Sequence, residues 1–70
     1  MYKRIKHMTA SEKVSLAEAN ERLAKFYTSI FWNEDSGKFM WTSFMCDSHY
    51  FDSLREAYND AVDYINNYGC

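Results

Sequence analysis

The chain has 70 residues, of which 19% are aromatic, with no proline, two glycines and a net charge of −2. This length allows one domain, and the composition excludes a Pro/Gly-rich linker and a low-complexity, disordered chain. No apolar run approaches membrane-spanning length, and the charged N-terminus lacks the apolar run of a signal peptide, so we expect a cytoplasmic protein. Cys46 and Cys70 are then expected to be free thiols rather than a disulfide.

The charge is unevenly distributed along the chain. Residues 1–13 carry four basic side chains against one acidic side chain, whereas residues 47–70 carry one basic side chain against five acidic ones. Wholesale phosphate binding needs a broad positive face, and this division argues against it. Residues 1–8 are compatible with an edge strand or with a flexible basic arm.

The first predicted element is a helix over residues 11–24. Two capping boxes compete for its start, one at Thr9–Glu12 and one at Ser15–Glu18. Apolar side chains recur at helical spacing from Leu16, and the same stripe taken literally extends the helix to Ile30. The β-prone segment that follows needs a strand partner, however, and this favours a helix that ends at residue 24.

Residues 25–33 and 38–46 are predicted to pair as a β-hairpin across the loop 34–37. In this register one face carries the greater apolar bulk and is assigned to the core: Ile30, Trp32, Phe39 and Trp41. The opposite face is predicted to bind a partner and carries Tyr27, Phe31, Met40 and Phe44. A chain with two helices has too little structure to cover both faces, so one is left for contact with another molecule.

A second helix is predicted over residues 53–68. Ser53 and Glu56 form a capping box, Phe51 is placed as its hydrophobic staple, and Gly69 suits the left-handed residue that ends a helix. An apolar stripe begins at Leu54 and recurs at helical spacing. The expected fold is therefore α+β, a single small domain in the order helix, β-hairpin, helix (αββα), with both helices packed on one face of the hairpin.

Four carboxylates of the second helix fall at positions i, i+4, i+8 and i+11, opposite its apolar stripe: Asp52, Glu56, Asp60 and Asp63. Successive carboxylates stand roughly 5–6 Å apart along the helix axis, a spacing comparable with that of phosphates. Electrostatic contacts with a partner are one interpretation of this row. The simpler one is the polar face that any amphipathic helix presents to water, and the small net charge favours it.

The segment 46–49 contains a cysteine, a carboxylate and a histidine within four residues. Cys46 and His49 are half of a zinc-ligand set that His7 and Cys70 could complete, and they are also the ingredients of a Cys–His nucleophile. A zinc site usually shows two close ligand pairs, and a catalytic dyad needs a cleft with an oxyanion site. We therefore predict no metal, no cofactor and no catalytic residue, with Cys46 acting as a small hydrophobic side chain that ends a strand.

These observations predict a non-enzymatic protein–protein interaction factor that binds another protein, and also itself as a homodimer, through the hairpin face. The small, proline-free composition suggests a viral or mobile-element factor that inhibits or modulates a host protein in the host cytoplasm. The alternative is a nucleic-acid-binding module in which hairpin aromatics stack on bases and phosphates are contacted by Lys3, Arg4, Lys6 and Lys13. Between residues 26 and 49, Lys38 is the single basic residue, which disfavours base stacking.

Overall fold

The structure is a computed structural model that describes residues 5–44 and 46–68. Helix α1 (Leu16–Leu23) continues as one 3-10 turn (Ala24–Phe26) and is followed by strand β1 (Ser29–Asn33), strand β2 (Lys38–Thr42) and helix α2 (Leu54–Tyr68). This order of helix, antiparallel hairpin and helix confirms the predicted α+β fold. The expectations that concern Lys3, Arg4, Met45, Gly69 and Cys70 lie outside the described residues.

Helix α1 begins later than the predicted residue 11. Ser15 is its N-cap, with an extended backbone and a side-chain oxygen that accepts the amide of Glu18 at 3.1 Å. The competing box closes a separate turn, in which the Thr9 amide donates to the Glu12 carboxylate at 3.1 Å and the Glu12 amide donates to the Thr9 carbonyl at 3.2 Å. Each predicted box forms one of its two side-chain bonds, and non-helical residues separate the two boxes, so only the second one opens a helix.

A Schellman motif ends the first helical segment and delays the start of β1. Tyr27 adopts a left-handed backbone conformation (φ 58°, ψ 35°), and its amide donates to the Ala24 carbonyl at 3.1 Å. The amide of Thr28 donates to the Leu23 carbonyl at 3.3 Å, which completes the motif. Residues 25–28 are therefore used to end the helix, and β1 starts at Ser29 rather than at the predicted residue 25.

The two strands pair in the register that the sequence predicted, with Ile30 opposite Trp41, Phe31 opposite Met40 and Trp32 opposite Phe39. The turn between them is closed by the amide of Gly37 (φ 69°), which donates to the Asn33 carbonyl at 2.7 Å. The Asn33 side chain accepts two further turn amides. The ladder stops at Thr42, four residues before the predicted end of the second strand.

Residues 47–51 run back along β2 as an irregular third strand, which the sequence analysis did not predict. Phe39 and Phe51 exchange two backbone hydrogen bonds of 2.8 and 2.6 Å, and Thr42 forms a bridge with Asp47. The third strand has one more residue than β2 between these two pairs, which makes a bulge. Within this bulge the Ser48 hydroxyl accepts the amide of Trp41 at 2.9 Å. The third strand therefore covers the edge of β2 that faces away from β1.

The core lies between the sheet and the two helices, and its buried members are Met8, Ala19, Leu23, Ile30, Trp41, Ala57, Tyr58, Ala61, Val62 and Ile65. Ile30 and Trp41 are 1% and 4% exposed, which confirms that their face of the hairpin packs on the helices. Phe39 is partly buried against this core. Trp32 was assigned to the same core and is 51% exposed instead, because it lies at the turn end of the ribbon.

Residues 5–8, part of the segment predicted as an edge strand or a flexible arm, are held on α2 by two asparagine side chains. The Asn59 amide accepts from the Met8 N–H at 2.7 Å and donates to the Met8 carbonyl at 3.2 Å. Asn66 makes the same pair of bonds with Ile5, at 3.2 and 3.1 Å. These contacts satisfy backbone groups that would otherwise need a neighbouring strand. The segment thus packs on the helix layer and is no part of the sheet.

Candidate functional site

The side of the sheet that faces away from the helices carries most of the exposed aromatic side chains. Side chains alternate along a strand, so Phe31 and Met40 lie on the side opposite the buried Ile30 and Trp41. We define the outer face as Tyr27, Phe31, Met40, Phe44 and Tyr50. Its four rings are 79%, 53%, 81% and 48% exposed in the order of the chain, and Met40 is half-buried. Of the four residues predicted from the sequence to bind a partner, strand alternation places Phe31 and Met40 on this side. Tyr27 and Phe44 flank the strands, and we assign them to it by their exposure and mutual contact.

Phe31, Met40 and Tyr50 form one row across the three strands. Phe31 is directly opposite Met40, and Tyr50 follows on the other side of β2. The Asn33 side-chain amide on β1 donates to the Tyr50 hydroxyl at 3.1 Å, so the tyrosine reaches across β2. Tyr50 was not predicted as a site residue. Its alternation with the core-facing Phe51 was the available signal.

Tyr27 and Phe44 form a second group at the end of the ribbon away from the turn. Their ring centroids are 6.5 Å apart with an interplanar angle of 55°, which is within the range of an aromatic pair. Tyr27 occupies the left-handed position that glycine usually takes at a helix end. A non-glycine residue in this conformation costs roughly 1–2 kcal/mol. The chain thus accepts backbone strain at the residue that presents this ring.

Two polar contacts lie at the border of the outer face. The Lys38 ammonium lies 3.1 Å from the Asp52 carboxylate, and the Thr42 hydroxyl donates to Asp47. Exposed ion pairs of this kind contribute only about 0–1 kcal/mol to stability.

The four carboxylates predicted as electrostatic contacts each have a partner within the protein. The indole N–H of Trp41 donates to Asp60 at 2.8 Å, and Nε2 of His7 lies 2.6 Å from Asp63. The hydroxyl of Ser53 lies 3.1 Å from the carboxylate of Glu56, and Asp52 pairs with Lys38. These contacts hold the Trp41 side chain, bind residues 5–8 to α2 and cap α2. In this structure the row of four carboxylates therefore contributes to the fold.

The lysines of the predicted nucleic-acid surface do not lie beside the outer-face rings. Lys6 is exposed on the segment that packs against α2, on the helix side of the sheet. Lys13 is exposed and borders an open groove together with Glu12, Glu18 and Arg55. Lys6 and Lys13, the two described members of that set, therefore give no continuous positive surface with the aromatic side chains.

Cys46 and His49 contact aromatic side chains. The rings of His49 and Phe51 have centroids 4.5 Å apart. Cys46 is exposed, and its side-chain hydrogen bond with Tyr64 raises the pKa of the tyrosine above its ordinary value. Across residues 5–44 and 46–68, no group of three or more His, Cys, Asp or Glu side chains is arranged to hold a metal ion.

Four of the five large apolar side chains that are exposed within the described residues lie on the outer face; the fifth is Trp32.

None of the helices in the described part of the chain combines the length and apolar character needed to cross a membrane. No family model, curated protein or solved structure matches this chain.

Proposed function

We propose that the protein is a non-enzymatic interaction factor that binds another protein through the outer face. The observation that carries this proposal is the concentration of four exposed rings on one side of the sheet. With exposed fractions of about one half to four fifths, these rings present roughly 500 Å² of mainly apolar surface, since an aromatic side chain offers about 150–250 Å². Patches of about 300–600 Å² on soluble proteins are often functional. Aromatic residues and methionine are also the types enriched at the centres of protein interfaces.

The backbone of the outer face is held in place before any partner binds. β2 is hydrogen-bonded on both edges, by β1 on one side and by residues 47–51 on the other. The hydroxyl of Tyr50 is bonded to Asn33, which limits the motion of its ring. A surface that is already ordered loses little conformational entropy on binding, so more of the apolar contact energy remains as affinity.

The proposed partner is a cytoplasmic host protein that this small factor inhibits or modulates, which fits a viral or mobile-element origin. The exposed thiol of Cys46 is compatible with a reducing compartment. Inhibition requires no chemistry from the factor itself, because covering a functional surface of the target is sufficient.

The proposal is tested by affinity capture from lysates of the cells in which the protein acts, using wild type, Phe31→Ala and Trp32→Ala. The two residues are neighbours and are 53% and 51% exposed, but their side chains point to opposite faces. We expect wild type and Trp32→Ala to retain the same partner and Phe31→Ala to retain about tenfold less, as for an interface anchor worth about 1.4 kcal/mol.

Equal capture by all three proteins would contradict a role for the outer face. Oligonucleotide binding at low salt that depends on Phe31 would favour the nucleic-acid alternative, and its affinity should then fall steeply with ionic strength. Oligonucleotide titrations at two salt concentrations therefore accompany the capture experiment.

A further inference from the structure

The sheet has helices on one side and no described layer on the other. The molecule measures 39 × 29 × 17 Å along its principal axes, so it is thin in one direction. Sheets that pack face to face lie about 10 Å apart, with the side chains of both inner faces filling the space between them. The outer face has the side-chain composition of such an inner face, with Phe31, Met40 and Tyr50 in one row across three strands.

We propose that the outer face packs against the outer face of a second copy of this chain, giving a homodimer with the layer order helix, sheet, sheet, helix. This inference rests on the proposed function, because the second copy covers the same surface that the proposed host protein binds, so the two partners compete for it. A specific interface needs about 1,000 Å² in total, or about 500 Å² from each copy. The four exposed rings supply roughly that area from each copy. Met40, Ser29 and Thr42 lie between them and add to it.

Association through the edges of the two hairpin strands, the other common route for a small β-sheet, is obstructed. Residues 47–51 occupy the open edge of β2. On the edge of β1, Asn20 accepts the Ile30 N–H at 2.6 Å and donates to the Ile30 carbonyl at 3.1 Å. In an antiparallel pair the outward backbone groups belong to alternate residues, so within β1 Trp32 is left to offer them. One residue is too short for strand addition along β1. The outer face is the exposed apolar surface that remains.

The distribution of charge allows two identical faces to meet. Lys38 is paired with Asp52 at the side of the row, so neither copy has to bury an unpaired charge there. A two-fold axis that lies in the interface and runs across the strands places the turn of each copy against the Tyr27 end of the other. Glu34 and Asp35 in the turn then approach the exposed Lys25 of the second copy. This arrangement brings opposite charges together at both ends of the interface.

The test is analytical ultracentrifugation of the pure protein over a micromolar concentration series, with Phe31→Lys, Phe44→Lys and Trp32→Lys as variants. We expect wild type and Trp32→Lys to sediment as dimers at the upper end of the series. Phe31→Lys and Phe44→Lys should dimerise at least tenfold more weakly, since each places an unpaired ammonium in the interface. Circular dichroism and thermal unfolding of each variant show whether it is folded. If either Phe31→Lys or Phe44→Lys unfolds, the other variant still tests the interface.

A wild-type protein that stays monomeric throughout, or folded Phe31→Lys and Phe44→Lys variants that dimerise like wild type, would overturn the inference. Loss of the dimer in folded Trp32→Lys would also overturn it, because that side chain lies on the other face. A monomer that still captures a different protein in a Phe31-dependent manner refutes the second copy and leaves the proposed function standing. A dimer that captures other proteins equally well with and without Phe31 supports the second copy and refutes the proposed function.

Discussion

The side-chain amide of Asn20 is hydrogen-bonded to both backbone groups of Ile30, through its oxygen at 2.6 Å and its nitrogen at 3.1 Å. A residue of α1 thereby takes the place of a neighbouring strand at the edge of β1. Asn59 and Asn66 of α2 make the same pair of bonds with the backbone of residues 8 and 5. Three asparagines on helices therefore join elements that no regular ladder connects.

Replacing Asn20 by alanine is expected to lower the free energy of unfolding by about 1–3 kcal/mol, because the Ile30 amide and carbonyl lose their partners in a largely buried position. Glu21→Ala is the matched control, since Glu21 is the next residue of the same helix and is exposed. Urea unfolding of both variants measures the difference. Identical midpoints for the two variants would show that the Asn20 contacts are not stabilising.

Asn59→Ala is expected to release Met8 without unfolding the sheet. The Met8 N–H donates to the Asn59 side chain at 2.7 Å, so in wild type it should exchange slowly with solvent. In the variant that amide should lose protection while the amide of Trp41 retains it. Amide hydrogen exchange followed by NMR distinguishes this local release from a global loss of stability, in which both amides would exchange faster together.

Trp41→Ala is expected to lower the free energy of unfolding by about 3–5 kcal/mol, enough to unfold much of so small a domain. The side chain is 4% exposed, donates to Asp60 at 2.8 Å and has its ring 4.9 Å from that of Tyr64. Phe44→Ala removes a ring that is 81% exposed and should change stability by less than about 0.5 kcal/mol. Chemical unfolding of both proteins checks the contrast, and a stable Trp41→Ala beside an unfolded Phe44→Ala would invert the assignment of the two faces.

Tyr27→Gly is expected to stabilise the fold by about 1 kcal/mol relative to Tyr27→Ala. Both changes remove the exposed ring, but glycine also relieves the strain of the left-handed backbone at φ 58°. Thermal or urea unfolding of the pair isolates this backbone effect. If the ring serves binding, both variants should dimerise or bind a partner more weakly than wild type and to a similar extent, although the glycine variant is the more stable of the two.

Cys46→Ala is expected to bring the pKa of Tyr64 back toward its ordinary value of 10.0, because the hydrogen bond between the two side chains is the largest cause of the rise. A raised phenol pKa means that folding favours the neutral form. The corresponding stabilisation is present below about pH 10 and is lost as the pH rises through the pKa of the folded state. Ultraviolet titration of tyrosinate in wild type and Cys46→Ala measures the shift, and Tyr64→Phe identifies which step belongs to Tyr64. An unchanged titration in Cys46→Ala would rule out the thiol as the cause.

Local sequence patterns determined the register of the hairpin and the start of the second helix. Alternation of apolar residues on both sides of a four-residue loop allows one pairing that puts Ile30 opposite Trp41, because a shift of one residue would turn every side chain to the other face. The cap of α2 was equally local: the Ser53 hydroxyl accepts the Glu56 amide at 3.1 Å. The position of Phe31 and Met40 on the face opposite Ile30 and Trp41 followed from the same alternation.

The third strand, the asparagine contacts and the position of Trp32 were decided only by the tertiary structure. Segment 47–51 has only a weak strand pattern in its sequence. It is extended because the open edge of β2 offers it backbone hydrogen bonds. Asn20 and Asn59 bond to backbone that is 10 and 51 residues away in the chain, a distance that no local propensity encodes. Trp32 follows the core pattern but lies at the end of the ribbon, and burial depends on where the covering helices stop as well as on which face a residue occupies.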